Sequence, residues 1–352
     1  MVYSNKKMSV IISFMLVFSF QAMAAKEQLI FALDLIRHGD RTSIADLPYA
    51  SYTWAEGRGQ LTALGMLQEY QLGLKLNQRY MIDNQLLPMN YVANTIYIRS
   101  TDYDRTIMSA QSLLMGLYPL GTGPSLPDST PALPSNYQPI PIHSVPVAQD
   151  SDFIMSMRSK EMADLLTKYV FTREDWKEKS SELEPQYTRW SQLTGIDIKS
   201  LYEILIIGDT LHTYVAHDIP LPNGLTKEEA AHIIEEGDWI HAVLFKPEQI
   251  GDFAGKAGLK KIIEYIQQAK EQKSKTKFVL VSAHDSTILG VMSALHTPLD
   301  KSPPYASDLN FSLYKSDAED YFVKVTFNNI PVNIPGCNGN VCQLNQLVQR
   351  VK

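Results

Sequence analysis

The sequence is poor in cysteine and in excess positive charge, and it has no apolar run long enough to span a bilayer. Only 2 cysteines occur among 352 residues, which excludes a small fold held by a disulfide framework. The net charge of −6 argues against a general affinity for nucleic acid or anionic membranes. The remaining composition, 45% hydrophobic and 20% charged, is typical of globular proteins. At about 150 residues per domain, the length indicates roughly two domains.

The first 24 residues differ from the rest of the chain. Lys6 and Lys7 precede an uncharged, mostly apolar run over residues 8–20, and Ala22 and Ala24 then form a small-x-small processing site. The run has 13 residues, whereas a membrane anchor needs about 20, so a cleaved signal peptide is favoured. Its loss removes two lysines and takes the net charge from −6 to −8. We expect a soluble mature protein, periplasmic or secreted, with no membrane anchor.

The two cysteines, Cys337 and Cys342, lie close together near the C-terminus with Gly339 between them. In an oxidising compartment this spacing predicts a small disulfide loop, and the glycine gives the backbone freedom to turn. The four intervening residues exclude a Cys-x-x-Cys redox site. A loop this short contributes roughly 2 kcal/mol, so it pins the tail and does not hold the fold together.

Strands and helices alternate along the predicted core. Buried strands are predicted at three apolar runs, residues 29–36, 95–98 and 278–283. Helical periodicity is found after the second and third runs and at residues 62–80, 227–245 and 258–273. This alternation indicates an α/β fold with a largely parallel sheet.

A proline-rich stretch divides the chain. Eight of the 19 prolines lie between Pro119 and Pro146, too many for a helix or a central strand, so an extended connection is predicted. Residues 148–237 then have many charges and several helix-like segments but no strong strand. We therefore predict a helical cap at 148–237, inserted into an α/β core formed by residues 25–147 and 238–352.

Charged side chains follow each of the three predicted strands. Because ligands bind beyond the carboxyl ends of strands in open α/β sheets, these side chains are expected to converge on one pocket. They are Arg37, His38, Arg41, Arg99, His284 and Asp285. Three guanidinium groups and two imidazoles against one carboxylate predict an anion site, and guanidinium forks match phosphate oxygens.

Each piece of this constellation has an ordinary structural explanation when taken alone. A single arginine at a strand end is usually a surface or ion-pairing residue. His217-Asp218 is a second His-Asp pair, but no strand leads into it and Pro220 follows, so we interpret it as structural. The remaining histidines have no metal-ligand spacing, and no metal site is predicted. Chance accounts poorly for three strand ends together.

These residues resemble the histidine acid phosphatases, whose hallmark is Arg-His-Gly-x-Arg-x-Pro near the mature N-terminus with a distant His-Asp. Here the hallmark occupies residues 37–43, with Ser43 in place of the usual proline, and the pair is His284-Asp285. Similarity to the prostatic and lysosomal branch extends through residues 59–62, 97–102, 104–106, 282–285, 303–307 and the cysteine pair. The resemblance covers nearly the whole mature chain. It implies a phosphoglycerate mutase-like three-layer α/β/α core, with a mostly parallel sheet and an inserted helical cap.

The resemblance also implies the chemistry. His38 is expected to be the nucleophile and to form a phosphohistidine, and Asp285 is expected to be the general acid and later the base. The phosphate oxygens would be held by Arg37, Arg41, Arg99 and His284. These groups supply the charge neutralisation that magnesium gives in kinases, so no metal and no cofactor is implied.

Three nearby charged residues are interpreted as structural. Asp40 falls at the variable position of the hallmark, and Asp34 lies inside the first strand. Arg105 matches the relatives but falls within a predicted helix, which favours a structural role over a catalytic one. Asn310-Phe-Ser312 matches a glycosylation sequon.

The function expected from the sequence is the hydrolysis of small phosphate monoesters. A phytase or sugar phosphatase of the same superfamily would share the catalytic residues and differ in the cap. A phosphoglycerate mutase also uses Arg-His-Gly, but the second arginine, the His-Asp pair and the signal peptide argue against it. A non-catalytic phosphate-binding module would need neither His38 nor Asp285. The sequence leaves the oligomeric state open, and a homodimer is one alternative.

Overall fold

The computed structural model describes residues 27–154 and 159–350. The predicted signal peptide, residues 1–24, lies outside the described residues. A mixed sheet forms the centre of the described chain, in the strand order β3-β2-β4-β1-β5-β6-β7, with β8 also paired to β6. The strands are β1 Glu27–Arg37, β2 Ile96–Thr101, β3 Ile142–Val145, β4 Phe278–Ala283, β5 Asp308–Ser316, β6 Tyr321–Phe327, β7 Ile330–Pro331 and β8 Val341–Gln343.

The central strands β3, β2, β4 and β1 are parallel, as predicted. Strands β5 and β6 extend the sheet in antiparallel pairing, and the sequence analysis did not predict them. The reason is visible in β5, where Asp308, Asn310 and Ser312 are polar but buried. A strand with polar residues on a buried face lacks the apolar run by which β1 and β4 are recognised.

Helices cover both faces of the sheet and form a separate layer beside it. They are α1 Ala63–Asn77, α2 Asp104–Leu117, α3 Lys160–Tyr169, α4 Glu174–Thr194, α5 Leu201–Ala216, α6 Lys227–Val243, α7 Glu248–Ala254, α8 Lys256–Lys270, α9 Asp285–Ala294 and α10 Leu344–Gln349. The predicted helix at 62–80 corresponds to α1 and a π-helical turn over Gln78–Asp83. Those predicted at 227–245 and 258–273 correspond to α6 and α8.

The alternation of side chains along the strands generates the layers. Leu33 and Leu35 of β1 pack with Val281 of β4 in one apolar core, which contains residues of α8 and α9. Ala32 and Ile36 face the opposite side and pack with residues of α1 and α2. Each central strand is therefore buried on both faces, and the expected three-layer α/β/α fold is confirmed.

A polar cluster lies within the second of these layers. Asp34 is fully buried and accepts hydrogen bonds from the Tyr80 hydroxyl at 2.6 Å and the Asn310 amide at 2.8 Å. Asn310 itself is 3% exposed. Asp34 thus has the structural role expected from its position inside the strand, and the folded protein leaves no room for a glycan on Asn310.

Helices α3 to α6 pack around a further apolar cluster. Trp190 of α4, Ile207 of α5 and Ile240 of α6 are buried in one apolar cluster. We propose that these helices are the cap. Its predicted boundary at residue 237 falls inside α6, which continues to Val243, so the cap and the core share that helix. The proline-rich stretch is mostly irregular, although it includes the edge strand β3.

The C-terminal cysteines form the predicted disulfide. Cys337 and Cys342 are bonded, with their Cα atoms 4.9 Å apart. Cys342 lies in β8, opposite Val323 of β6, and its side chain is buried in the core beneath the sheet. The bond thereby ties the tail to the antiparallel edge, far in sequence from the strands that carry the charged residues.

Candidate active site

Neighbouring parallel strands bring His38 and His284 together. Strands β1 and β4 pair with Arg37 opposite Ala283, so the residue after each strand reaches the same edge of the sheet. The His38 backbone N–H donates to the Ala283 carbonyl at 3.0 Å. The two imidazole rings lie with their centroids 5.6 Å apart. The sheet register alone therefore places both rings in one pocket.

Asp285 lies beside Arg37 at the start of α9. The carboxylate accepts from the Arg37 Nη2 at 2.7 Å and from the Ser286 backbone N–H at 2.7 Å. Arg37 also donates to the Pro303 carbonyl, and its guanidinium lies 4.1 Å from the ring centroid of Tyr305. Residues 303–305 thus pack against Arg37, and the Tyr305 ring centroid also lies 5.8 Å from that of His38. Tyr305 is a site residue that the sequence analysis quoted in a motif but assigned no role.

Arg105 reaches the pocket, although its place within a predicted helix favoured a structural role over a catalytic one. It is the second residue of α2, and this helix starts three residues after β2 ends. Its Nη2 lies 3.4 Å from Nδ1 of His284, whose Nε2 is 3.0 Å from the Thr101 hydroxyl. A first-turn position next to a strand end was the signal that could have identified it.

Arg99 does not reach the pocket, so its predicted place beside the phosphate is wrong. Its guanidinium binds Asp150 at 2.6 Å and Asp152 at 2.8 Å. The physical reason is its depth in the sheet. Arg99 lies opposite Val281, whereas Arg37 lies opposite Ala283, so Arg99 is two residues, about 7 Å, back from the carboxyl edge.

The helices that we propose as the cap contribute to the site through α5. Asp209 of α5 accepts from the Arg41 Nη2 at 2.7 Å. Ser43, which stands where the family usually has proline, is 1% exposed and forms a hydrogen bond with the Thr213 hydroxyl of the same helix. This side-chain bond anchors the loop that lacks the rigid proline.

The hydrogen bond of His38 determines which ring nitrogen is free. Its Nδ1 lies 2.8 Å from the Gly39 carbonyl oxygen. A carbonyl only accepts, so Nδ1 carries the proton. In the neutral ring, Nε2 then has an unshared electron pair, as a nucleophile requires.

Burial among cations keeps both imidazoles neutral. Burial lowers the pKa of His38 well below its usual value, and Arg105 and Arg37 lower it further. The same causes, burial first and then Arg105, lower the pKa of His284 to about 3. Burial and the neighbouring Arg41 lower the pKa of Arg105 to about 10, so its guanidinium stays charged at neutral pH.

Asp285 is ionised in the free protein. Burial alone would raise its pKa, but Arg37 and further cationic neighbours outweigh burial and hold the pKa well below the usual range. The nearby Tyr305 hydroxyl stays protonated, because burial raises its pKa to about 12. The pocket therefore presents one carboxylate, a neutral His38 and several positive charges.

Two cavities meet at Asp285. The phosphate pocket, as we name the smaller one, has a volume of about 200 Å³. It is lined by His38, Arg41, Ile44, Tyr103, Arg105, Phe153, Ile154, His284, Asp285 and Ser286. The larger one, the outer chamber, has a volume of about 380 Å³ and extends from Arg37, Arg41 and Asp285 along α5 and α6. The arrangement can hold an anion in the pocket and its organic substituent in the chamber.

The second His-Asp motif supports the hallmark loop. His217 Nε2 lies 2.6 Å from the Asp40 carboxylate, which also accepts from the Thr62 hydroxyl at 2.5 Å. Asp40 is thus a pairing residue, as interpreted from the sequence. Within residues 27–154 and 159–350, no group of three or more His, Cys, Asp or Glu side chains has the geometry of a metal site.

Comparison with known sequences finds relatives of this chain. Residues 28–328 match the family profile of the histidine phosphatase superfamily, branch 2. The chain is 30% identical to human prostatic acid phosphatase over 351 residues, covering 96% of this chain and 88% of that protein. It is also 30% identical to bovine lysosomal acid phosphatase, over 88% of this chain and 74% of that one.

Solved structures show the same fold. A phytase from Klebsiella sp. ASR1 superimposes with a TM-score of 0.70 at 18% identity, covering 93% of this chain and 95% of that chain. The Hafnia alvei phytase in complex with myo-inositol hexakis sulphate gives a TM-score of 0.68 at 16% identity, covering 92% and 96%.

The loop that carries His38 packs directly on α1 through glycines, and this contact is testable. A Cβ on Gly65 would overlap the Asp40 carbonyl, and one on Gly39 would overlap the Gly65 backbone. Helix propensity alone predicts that Gly65→Ala stabilises by about 1 kcal/mol. The overlap predicts the opposite sign, a loss of about 1–3 kcal/mol.

Urea unfolding followed by circular dichroism measures the sign of this change. Leu64→Ala is the matched control, because Leu64 precedes Gly65 on α1 and is 37% exposed. That control is expected to change the free energy of unfolding by only about 0.5 kcal/mol. A stabilised Gly65→Ala protein would contradict the described packing.

Proposed function

The chain belongs to branch 2 of the histidine phosphatase superfamily and is a phosphomonoester hydrolase, and from this premise we propose that it is an extracytoplasmic acid phosphatase. It acts on small phosphate monoesters through a phosphohistidine on His38. The observation that carries the proposal is a neutral imidazole with a free Nε2, surrounded by guanidinium groups and facing one carboxylate.

The first step transfers the phosphoryl group to the enzyme. His38 Nε2 forms a bond to phosphorus as the bond between phosphorus and the ester oxygen breaks. Arg37, Arg41 and Arg105 hold the non-bridging oxygens, and His284 is a further donor. Arg105 takes the place first assigned to Arg99. The leaving oxygen accepts a proton from Asp285 and departs as the alcohol.

The second step returns the enzyme to its starting state. Asp285 takes a proton from a water molecule, whose oxygen bonds to phosphorus as the bond from phosphorus to His38 breaks. The proton then passes from Asp285 to the inorganic phosphate, which leaves as H2PO4− and restores the ionised carboxylate. Since Asp285 is ionised before substrate binds, the proton of the first step arrives with the substrate. A monoanionic phosphate ester carries it, and the negative charge of the bound phosphate raises the proton affinity of the carboxylate.

The proposed compartment rests on separate features. The Cys337–Cys342 disulfide fits an oxidising environment, and residues 1–24 have the pattern of a signal peptide. In the described parts of the chain, no helix combines the length and apolar character that crossing a membrane requires.

The outer chamber favours an acid phosphatase over the alternative of a phytase. Two arginines, Arg37 and Arg41, line the chamber, and both lie where it meets the phosphate pocket. Beyond them the walls carry Asp209 and Asp238, the imidazoles of His212 and His241, and apolar side chains such as Leu205, with no further lysine or arginine among the lining residues that the structure describes. Like charges in such a site repel by several kcal/mol, so a leaving group that carries further phosphates is disfavoured.

Replacement of the nucleophile tests the mechanism. His38→Ala is expected to lower kcat by about 1,000-fold or more, because no other side chain can form the covalent intermediate. Rapid quenching of the wild type with labelled phenyl phosphate, under conditions that preserve N–P bonds, should trap one phosphoryl group per chain. His143→Ala is the control, since His143 lies on β3 outside both cavities. Substantial turnover by the His38 variant would refute the mechanism.

The pH dependence tests the neutral state of His38. If His38 had an ordinary pKa near 6.5, the fraction of its imidazole in the neutral, nucleophilic form would fall tenfold for each pH unit below that value. Because the pKa is lowered, kcat/KM for phenyl phosphate is expected to rise as the substrate gains its proton near pH 6. It should then hold to about pH 4.5 instead of falling from pH 6.5.

Variants at Asp285 separate the proton donor from the nucleophile. Asp285→Asn should slow the hydrolysis of phenyl phosphate by about 100-fold or more, and that of 4-nitrophenyl phosphate by less, because nitrophenolate departs without a proton more readily.

The pH prediction for the wild type has its own contrary outcome. A tenfold fall in wild-type kcat/KM per pH unit below 6.5 would show that His38 titrates normally. Stability measured at each pH excludes unfolding as the cause.

Substrate comparison separates the two phosphatase alternatives. We expect kcat/KM for phenyl phosphate to exceed that for phytate by about 100-fold, in line with charge repulsion in the chamber. Asp238→Asn should narrow this ratio, whereas Asp252→Asn, an exposed position on α7, should leave it unchanged. Equal rates for phytate and phenyl phosphate would favour the phytase.

A further inference from the structure

The wall segment, residues 150–154, closes one side of the phosphate pocket. It follows a short turn at Val147–Gln149 and belongs to no helix or strand. Phe153 and Ile154 line the pocket together with His38 and His284. Phe153 is 2% exposed, so this segment supplies an apolar wall to a pocket that also contains the charged groups Arg41, Arg105 and Asp285.

Arg99 binds the wall segment at three points. Its Nη2 donates to Asp150 at 2.6 Å and its Nη1 donates to Asp152 at 2.8 Å. Its guanidinium carbon lies 4.8 Å from the ring centroid of Phe153. The Asp150 Oδ1 that accepts from Arg99 also accepts from the Phe153 backbone N–H at 3.2 Å. One carboxylate oxygen thus links Arg99 to the backbone of the wall residue.

The opposite side of the segment is tied to the helix that carries Asp285. The Thr287 hydroxyl donates to the Phe153 carbonyl at 2.9 Å, and Thr287 is the third residue of α9. Phe153 is therefore held between β2 and the first turn of α9. The backbone bonds of the segment are local, such as that from the Ile154 N–H to the Asp150 carbonyl at 3.3 Å, and the Phe153 ring packs in the apolar core. The bonds from Arg99 and Thr287 add polar links between the wall and these two elements.

We propose that Arg99 is a positioning residue for the phosphate pocket, which acts by holding Phe153 in place through Asp150 and Asp152. The inference rests on the proposed phosphatase site, but it gives Arg99 no contact with substrate. A displaced wall admits water and weakens every charge interaction in the pocket. Because the wall is present for substrate and transition state alike, its loss should raise KM and leave kcat nearly unchanged.

The test uses variants that leave no buried charge unpaired. Removal of Arg99 would strand the buried Asp150 carboxylate and can unfold the protein. Arg99→Lys keeps the charge but cannot bind both carboxylates in a fork. Asp152→Asn removes one of its two partners, and Phe153→Ala removes the wall itself. The matched control is Arg189→Lys, because Arg189 also makes two bonds to a carboxylate, that of Glu229 on the cap surface.

Binding of inorganic phosphate, measured by calorimetry, gives a readout that does not depend on turnover. Arg99→Lys, Asp152→Asn and Phe153→Ala should each weaken the Kd for phosphate, and raise KM for phenyl phosphate, about 5- to 20-fold. Their kcat should stay within about threefold of wild type. The double variant Asp152→Asn/Phe153→Ala should be no worse than the weaker-binding single one, because both changes act through one wall. Arg189→Lys should match wild type.

Three results would overturn the inference. If Arg99→Lys weakens phosphate binding while Asp152→Asn and Phe153→Ala do not, Arg99 acts directly on the anion. Additive effects in the double variant would separate Asp152 from the wall. Unchanged Kd and KM in Arg99→Lys, with only a lower urea midpoint, would make Arg99 purely structural. Failure of the proposed function is a different result, because it would appear as turnover that does not require His38. The Kd for phosphate would still test whether the wall segment affects anion binding.

Discussion

The burial of several cations around one imidazole is the constraint on which the site depends. His38 sits at the end of a strand whose side chains are buried on both faces, and Arg37 and Arg105 lie close enough to lower its pKa. Such burial is unfavourable for each guanidinium, and the surrounding fold must compensate for it. The result is an imidazole that stays neutral in acid, together with a positive pocket ready for an anion.

Carboxylates compensate unevenly for these cations. Arg37 pairs with Asp285 and Arg41 pairs with Asp209, while Arg105 makes no ion pair within 4.0 Å in the part of the chain that the structure describes. Of these three arginines, Arg105 is thus the one whose charge is least offset, and burial together with the neighbouring Arg41 lowers its pKa to about 10. An anion that enters the pocket would relieve this imbalance, which favours phosphate binding.

Two arginines near the end of β2 show where reasoning from sequence succeeds and where it stops. Both Arg99 and Arg105 stand near the end of the strand, and a strand-end rule cannot separate them. Arg99 lies too far from the carboxyl edge of the sheet to reach the pocket, and it binds the wall segment instead. Arg105 lies in the first turn of α2, from which its side chain reaches the pocket. The antiparallel strand β5 escaped prediction for a related reason, because its buried polar residues, such as Asn310, are paired with partners distant in sequence.

Local patterns determined the parts of this protein that depend on neighbours along the chain. Three such features can be recognised in short stretches of the sequence: the apolar runs of β1 and β4, the disulfide loop, and the hallmark around His38. Burial and residue spacing leave a local signature in each of them. Only the tertiary structure decided which side chains share a cavity, and how the cap, through Asp209, meets the core. Those contacts depend on strand register and helix packing, and neither leaves a mark in any short stretch of sequence.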